Sequence, residues 1–123
     1  MIYKLAFASS DGENVNEHFG RAERFFIAEL DTNKEDYELT GCREVTPSCH
    51  GGEHELRGFD AAIGILSDVC AVIAQRVGPG AKKYIEENGI RVYQIPLSID
   101  QAICLLMEEK QWEADKWRYP SKN

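Results

Sequence analysis

Four side chains that commonly bind metals lie in two loops of this 123-residue chain. They are His18, Cys49, His50 and His54, and they include every histidine of the sequence. Imidazole and thiolate are soft ligands that suit zinc, copper or iron–sulfur species. A few ligands on loops suit a site that takes up and releases its metal better than a closed structural site. The alternative interpretation is a pair of ordinary polar loops.

The loop at residues 11–20 is rich in residues that favour turns. It contains an Asp-Gly pair and two asparagines, residue types that tolerate positive φ and hydrogen-bond their own backbone. We therefore expect His18, which Phe19 and Gly20 follow, to stand on a nearly rigid mount. The second loop, at residues 46–55, contains a Gly-Gly pair, so we expect it to be mobile enough to close over a metal centre.

A Gly-Pro-Gly turn at residues 78–80 suggests a second kind of chemistry. Free backbone N–H groups at the start of a helix attract anions, and Arg76, Lys82 and Lys83 flank this turn. The same tripeptide more often forms only a tight turn. An enzyme that acts on a phosphorylated small molecule therefore ranks last among the functions considered, because only this turn favours it.

The other cysteines and the scattered carboxylates are less informative. Cys70 lies in an apolar run and Cys104 on the last predicted helix, so both are expected to be buried and chemically quiet. Cys42, on a polar strand, stays ambiguous, and Asp60 and Asp68 are interpreted as capping or solvated charges. No Cys-x-x-Cys pair indicates a closed zinc site. No Ser-His-Asp order, P-loop or Gly-x-Gly-x-x-Gly sequence is present, so nothing requires catalysis.

The composition limits the classes of partner. The formal net charge of −7 argues against nucleic acid, which is bound through basic surfaces, and against anionic membranes. No run approaches the length of a membrane span and no signal-peptide pattern is present, so we expect a cytoplasmic protein with reduced thiols. The length predicts a single domain at residues 1–110. Residues 111–123 lose helical periodicity, and we interpret them as a C-terminal tail that packs loosely or meets a partner.

Hydrophobic periodicity predicts an α/β fold. Strands are predicted at residues 2–9, 25–30, 37–45, 69–74 and 91–95. One helix follows each of the last three strands, and a capping box formed by Ser98 and Gln101 begins the last helix. The second and third strands form an antiparallel hairpin with a polar edge, and the later strand–helix alternation requires right-handed parallel crossovers. The element order βββαβαβα therefore predicts a mixed five-stranded sheet flanked by helices.

Ligands gather at the carboxyl ends of parallel strands in such sheets. The loop that carries His18 and the turn at residues 76–80 both leave from these ends. Whether the loop with Cys49 reaches the same edge depends on the hairpin being antiparallel.

Several short strings are shared with one known family. Residues 4–12 read Lys-Leu-Ala-Phe-Ala-Ser-Ser-Asp-Gly, residues 15–22 read Val-Asn-Glu-His-Phe-Gly-Arg-Ala, and residues 25–27 read Phe-Phe-Ile. Further matches are Arg-Val-Gly at 76–78 and Asn-Gly-Ile at 88–90. On these strings the chain resembles the dinitrogenase iron–molybdenum cofactor biosynthesis family, which includes NifX, the core of NafY and the C-terminal part of NifB. The resemblance extends from residue 2 to residue 107.

The resemblance implies a ribonuclease H-like α/β fold and a non-catalytic role. It also implies the carriage of iron–sulfur cluster precursors, or of the finished iron–molybdenum cofactor, between assembly proteins and nitrogenase. The suspected cluster ligand of the family falls on His18, and Cys49 falls where members often carry a cysteine. One departure is that relatives place Asp-Cys directly before the fourth strand, whereas here Ser67, Asp68 and Val69 precede Cys70.

The leading hypothesis is therefore a carrier that binds an iron–sulfur cluster or an iron–molybdenum cofactor precursor through His18 and Cys49. His50 or His54 would assist, and three arginines would offset the charge of an anionic cluster. These arginines are Arg21, Arg24 and Arg76. The expected partners are nitrogenase or cofactor-assembly proteins, with no nucleic acid and no membrane, and the carrier is a monomer or a homodimer. The alternative is a metal-free interaction or regulatory domain whose loops and aromatic tail, at residues 112–119, contact a protein.

Overall fold

A computed structural model describes residues 1–45 and 55–118, except for the side chains of residues 55–59. The strands are β1 (Ile2–Ala8), β2 (Arg24–Asp31), β3 (Asp36–Glu44), β4 (Ala71–Ala74) and β5 (Arg91–Gln94). The helices are α1 (Glu55–Ile65), α2 (Pro79–Glu87), α3 (Ile99–Glu108) and α4 (Gln111–Ala114), and a short 3-10 helix spans Phe19–Arg21. The order of strands and long helices confirms the order predicted from the sequence.

The five strands form one sheet in the order β3-β2-β1-β4-β5. β2 runs antiparallel to β1 and β3, whereas β4 is parallel to β1 and β5 is parallel to β4. The β2–β3 turn is closed by Asp31, whose carboxylate accepts hydrogen bonds from the backbone N–H groups of Asn33 and Lys34. In the described residues β2 runs opposite to the other four strands, and this arrangement confirms the predicted mixed five-stranded sheet flanked by helices.

Side chains of β1 alternate between two apolar layers. Ala6 and Ala8 face the layer that contains residues of α1 and α2, and Leu5 and Phe7 face the layer that contains residues of α3. All four are fully buried, as expected for a central strand that helices cover on both faces. Burial of the Phe7 side chain alone stabilises the fold by about 2–3 kcal/mol.

The last long helix follows its sequence signals closely. The hydroxyl of Ser98 accepts a hydrogen bond from the Gln101 N–H, and the Gln101 side chain accepts one from the Ser98 N–H, which completes the predicted capping box. The predicted stripe of Ile99, Ala102, Ile103 and Leu106 is buried. Cys104 is exposed, however, so the expectation of a buried thiol was wrong there. Cys104 follows Ile103 by one residue, which turns it about 100° away from the stripe.

The expectation of a loosely packed tail was also wrong for residues 111–118. Trp117 is only 4% exposed. Its ring lies 5.4 Å from that of Tyr3, and its indole N–H donates to the Tyr93 hydroxyl at 2.8 Å. The helical periodicity is lost because Lys110 and Lys116 adopt positive φ values of 48° and 51° and redirect the chain. Residues 119–123 lie outside the described residues.

Asp68 was expected to be capping or solvated, but it is held by two cations. The Arg43 guanidinium donates to both of its carboxylate oxygens, at 2.6 and 3.0 Å, and Lys4 Nζ lies 3.2 Å away. Arg43 also donates to the Ile65 carbonyl at the end of α1. Edge strand β3 is thereby tied to the turn that precedes β4. In the described ranges, no helix has the length and apolar character needed to cross a membrane.

Candidate functional site

The carboxyl ends of β1, β4 and β5 meet at one edge of the sheet, which we call the carboxyl rim. It comprises residues 9–23, 75–78 and 95–98, which follow those strands. Because β2 is antiparallel to β1, with Phe25 opposite Ala8, its first residue lies at the rim too. β3 returns to the same edge, since Glu44 pairs with Arg24. The chain therefore enters residues 46–54 from the rim, as the antiparallel alternative predicted.

His18 is paired with Arg76 through the backbone. The Phe19 N–H donates to the Arg76 carbonyl at 2.9 Å, and the Gln75 N–H donates to the Glu17 carbonyl at 3.0 Å. These bonds make a parallel β-bridge between His18 and Arg76. Bridged residues project their side chains to the same side of a sheet, so the side chains of His18 and Arg76 leave the backbone on the same side.

Alternation of the backbone explains why this pair faces solvent. The residues that follow each member, Phe19 and Val77, are 3% and 5% exposed and belong to the apolar layer under α1 and α2. The Phe19 ring packs on Phe25, with centroids 5.6 Å apart. His18 and Arg76 point away from this layer and are exposed. The buried neighbours thus anchor a solvent-facing imidazole.

The first half of the loop is organised by the Asp11 carboxylate. It accepts hydrogen bonds from the backbone N–H groups of Asn14 at 2.9 Å and Glu13 at 2.8 Å, and from the Asn14 side chain. These donors hold the pKa of Asp11 well below its usual range, with the Asn14 N–H the largest influence. Gly12 has a φ of +78°, and an added Cβ would lie 2.9 Å from the Phe26 ring. The predicted rigid mount is therefore present.

The connection from β5 to α3 is hydrogen-bonded to the same loop. The sequence did not predict this contact. The Val15 N–H donates to the Leu97 carbonyl, and the Ile99 N–H donates to the Glu13 carbonyl, both at 2.8 Å. Near Arg76, the Val77 N–H donates to the side-chain oxygen of Gln94 at 3.0 Å. The one sequence feature that could have predicted the bond to Val77 is the polar residue Gln94 at the end of β5.

The structure brings the three predicted arginines to the rim. Arg21 ends the 3-10 helix and Arg76 precedes α2, and both are exposed, whereas Arg24 begins β2 and is half-buried. Among the residues that the structure describes, none of their guanidinium groups has a hydrogen-bond partner. Carboxylates also lie along this edge, at Glu17, Glu23 and Glu44, so the rim is mixed in charge. Arg76 is the cation whose backbone is paired with that of His18.

Of the four candidate metal ligands, only His18 lies among the described residues. Cys49, His50 and His54 lie outside them. Among the side chains of residues 1–45 and 60–118, no three His, Cys, Asp or Glu residues group as a metal site.

The remaining thiols separate into buried and exposed positions. Cys70 is fully buried, its Sγ lies 2.9 Å from the Arg118 carbonyl, and burial raises the pKa of the thiol to about 11. The burial of Cys70 and the raised pKa of its thiol confirm the prediction that this cysteine is chemically quiet. Cys42 and Cys104 are exposed.

The Gly-Pro-Gly sequence forms a turn that starts a helix. Gly78 is the N-cap of α2 and Pro79 its first residue. The Lys82 N–H donates to the Gly78 carbonyl, as in any first helical turn. This geometry agrees with the simpler of the two interpretations of the turn.

Comparison with known proteins identifies the class. A family model described as dinitrogenase iron–molybdenum cofactor matches residues 1–109. The chain therefore belongs to this family of cofactor-biosynthesis proteins, and the resemblance read from the sequence is confirmed.

Individual relatives agree with this assignment. The chain is 34% identical over 88 residues to the FeMo cofactor biosynthesis protein NifB of Sinorhizobium fredii, which covers 72% of this chain but only 17% of that protein. It is 28% identical over 108 residues to NifX of Klebsiella pneumoniae, covering 88% of this chain and 65% of NifX. The crystal structure of PH0822 superimposes with a TM-score of 0.63 at 23% identity, covering 86% of this chain and 89% of the other, and thus shares the fold.

Proposed function

We propose that this protein is a non-catalytic carrier that binds an iron–sulfur cluster or an iron–molybdenum cofactor precursor during nitrogenase cofactor assembly. The observation that carries the proposal is the exposed imidazole of His18, fixed beside Arg76 at the edge where residues 46–54 begin. Membership of the cofactor family supports the class of cargo. Such a protein works in the cytoplasm, as a monomer or a homodimer.

The proposed ligands are His18 and Cys49, with His50 or His54 assisting. Imidazole and thiolate match the softness of iron in sulfide clusters. Two or three protein ligands leave the remaining iron atoms accessible, so an acceptor protein can take the cluster without unfolding the carrier. The fixed mount of His18 lowers the ordering cost of cargo binding, because its loop is already hydrogen-bonded.

The proposed electrostatic role falls first on Arg76 and then on Arg21 and Arg24. Iron–sulfur cargo with sulfide and thiolate ligands is anionic, whereas the chain has a net charge of −7. Local cations must therefore offset repulsion where the cargo approaches. Arg76 is best placed, since its backbone is paired with that of His18 and its side chain has no hydrogen-bond partner among the described residues.

The proposed partners are proteins of cofactor assembly, which load the carrier, and nitrogenase or a further assembly protein, which unloads it. The relative NifB is named as a FeMo cofactor biosynthesis protein. The chain spans about a sixth of NifB, so the same unit occurs there as part of a longer protein.

The proposal is tested by anaerobic reconstitution with iron and sulfide, followed by visible absorption and iron counting. The native chain is expected to hold iron and to show charge-transfer bands. His18→Ala and Cys49→Ser should each release iron to a chelator at least about tenfold faster, since even changes around a metal ligand commonly cost that much. Cys104→Ser is the matched control, because it removes an exposed thiol from α3 and should load like the native chain.

Two results would reject the assignment. If the folded native chain takes up no iron, the carrier function is wrong and the metal-free interaction domain replaces it. If Cys104→Ser loses iron as fast as Cys49→Ser, the iron is bound nonspecifically through exposed thiols.

A further inference from the structure

The loop that carries the candidate ligand His18 is held in place by residues that are not themselves candidate metal ligands. Its loop has two anchors outside itself: the turn at residues 75–78 and the connection at 94–99. The first anchor is the direct one, since the Phe19 N–H donates to the Arg76 carbonyl at 2.9 Å. The orientation of the imidazole therefore depends on where this turn lies.

The turn is itself fixed by a side chain from another strand. Gln94, the last residue of β5, pairs with Ala74 in the sheet, and its side-chain oxygen accepts the Val77 N–H at 3.0 Å. A backbone N–H can only donate, so the amide of Gln94 must present its oxygen here. Val77 is 5% exposed and Gln94 is exposed, so this hydrogen bond lies at the boundary between the apolar layer and solvent.

We propose that Gln94 is a positioning residue for the His18–Arg76 pair, acting through the Val77 N–H and the Arg76 carbonyl. Its acceptor oxygen holds the backbone on both sides of Arg76 in register with Glu17 and Phe19. The effect on bound cargo rests on the proposed function, whereas the effect on the imidazole does not.

In this proposal the part of Gln94 that matters is its hydrogen-bond acceptor oxygen. Two substitutions distinguish this oxygen from the rest of the side chain. Gln94→Glu keeps an oxygen of the same reach, whereas Gln94→Ala removes it. Gln75→Ala is the matched control, because Gln75 is an exposed glutamine at the end of β4 whose side chain has no hydrogen-bond partner in the described ranges. Each variant is made in the full chain, and its thermal unfolding is checked.

The first measurement is amide hydrogen exchange by NMR, with the ring resonances of His18 followed in the same samples. Gln94→Ala should speed exchange at Val77 and Phe19 about 5- to 10-fold, as expected for the loss of one hydrogen bond, and should shift the His18 resonances. Gln94→Glu and Gln75→Ala should match the native chain. Native exchange at Phe19 and unchanged His18 resonances in Gln94→Ala would overturn the proposal, as would equal effects in Gln75→Ala.

The second measurement is iron release from the reconstituted protein. Gln94→Ala should lose iron several-fold faster than the native chain and Gln94→Glu should not. If the native chain binds no iron while the NMR changes occur as expected, the positioning role stands and the carrier function falls. If iron is bound and Gln94→Ala releases it at the native rate, the carrier function stands and the positioning role falls.

Discussion

Five of the seven arginines of this protein form two groups with opposite surroundings. Arg43 and Arg118 lie where the chain enters β4 and β5, and their guanidinium groups are occupied by oxygen acceptors. Arg21, Arg24 and Arg76 lie at the carboxyl rim, where the described residues offer their guanidinium groups no hydrogen bond. The same side chain thus stabilises one end of the sheet and remains available at the other.

The occupied group shows what a structural arginine looks like here. Arg118 donates to the carbonyls of Ser67 at 2.6 Å, Val69 at 3.1 Å and Asn88 at 3.2 Å. It joins the turn before β4 to the turn before β5, and Trp117 is buried next to it in sequence. The contrast indicates that the rim arginines contribute less to the fold than Arg43 and Arg118 do, which leaves their charge available for the proposed anionic cargo.

The largest effect is expected from Trp117→Ala. The substitution empties a buried site between Tyr3 and Tyr93 and removes the indole N–H donor, so it should lower the free energy of unfolding by about 3–5 kcal/mol. Urea denaturation measures the change. Trp112→Ala is the control, because Trp112 is only half-buried at the edge of the same cluster and should cost less.

Trp117→Phe keeps the measurement informative if the alanine variant is unfolded. It retains most of the ring volume but loses the bond to Tyr93, so it should cost about 1–2 kcal/mol. Equal stabilities of Trp117→Ala and the native protein would show that residues 111–118 add nothing to the fold, contrary to the structure.

A smaller effect tests the division of the arginines directly. Arg118→Met should lower the free energy of unfolding by about 2 kcal/mol, because it removes charge-assisted bonds to three carbonyls. Arg76→Met should change it by less than about 0.5 kcal/mol. In reconstituted protein we expect the larger effect from Arg76→Met. This variant should release iron about fivefold faster than the native chain, as for one lost charge interaction near the surface, whereas Arg118→Met should release iron at the native rate. Matching effects on stability would remove the distinction between the two groups.

Most of the fold was predictable because its signals are local. The continuous apolar runs of β1 and β4 indicate central strands, and Ser98 with Gln101 indicates the start of α3 within four residues. The element order then fixes which strand ends share an edge. His18 was placed correctly at that edge because only topology was needed.

Most of the missed features depend on contacts between distant residues; the exposure of Cys104, which follows from its position on α3, is the exception. Trp117 meets Tyr3 from the opposite end of the chain, and Arg43 reaches Asp68 across 25 positions. The backbone pairing of His18 with Arg76 depends on how a ten-residue loop folds back, which periodicity does not report. The roles of Cys49, His50 and His54 stay predictions, because these residues lie outside the described ranges.

The smallest effect concerns acid stability at the structural end. The Arg43 guanidinium, with Lys4 as a second partner, holds the pKa of Asp68 well below its ordinary value of 3.8. A carboxyl whose pKa is lower in the folded state stabilises the protein above its unfolded pKa, and this contribution is lost as the pH falls through the folded value. Asp68→Asn should therefore cost about 1 kcal/mol at pH 7, a modest figure because the pair is partly exposed. The difference from the native chain should shrink below about pH 4.

Urea denaturation at a series of pH values between neutral and strongly acidic measures this convergence. Asp60→Asn, on the exposed surface of α1, is the control and should follow the native curve within about 0.5 kcal/mol. A constant gap between the native chain and Asp68→Asn at every pH would show that the variant acts through packing and not through charge. In that case Arg43 would no longer represent an arginine occupied by an ion pair, and only Arg118 would mark the structural end of the sheet.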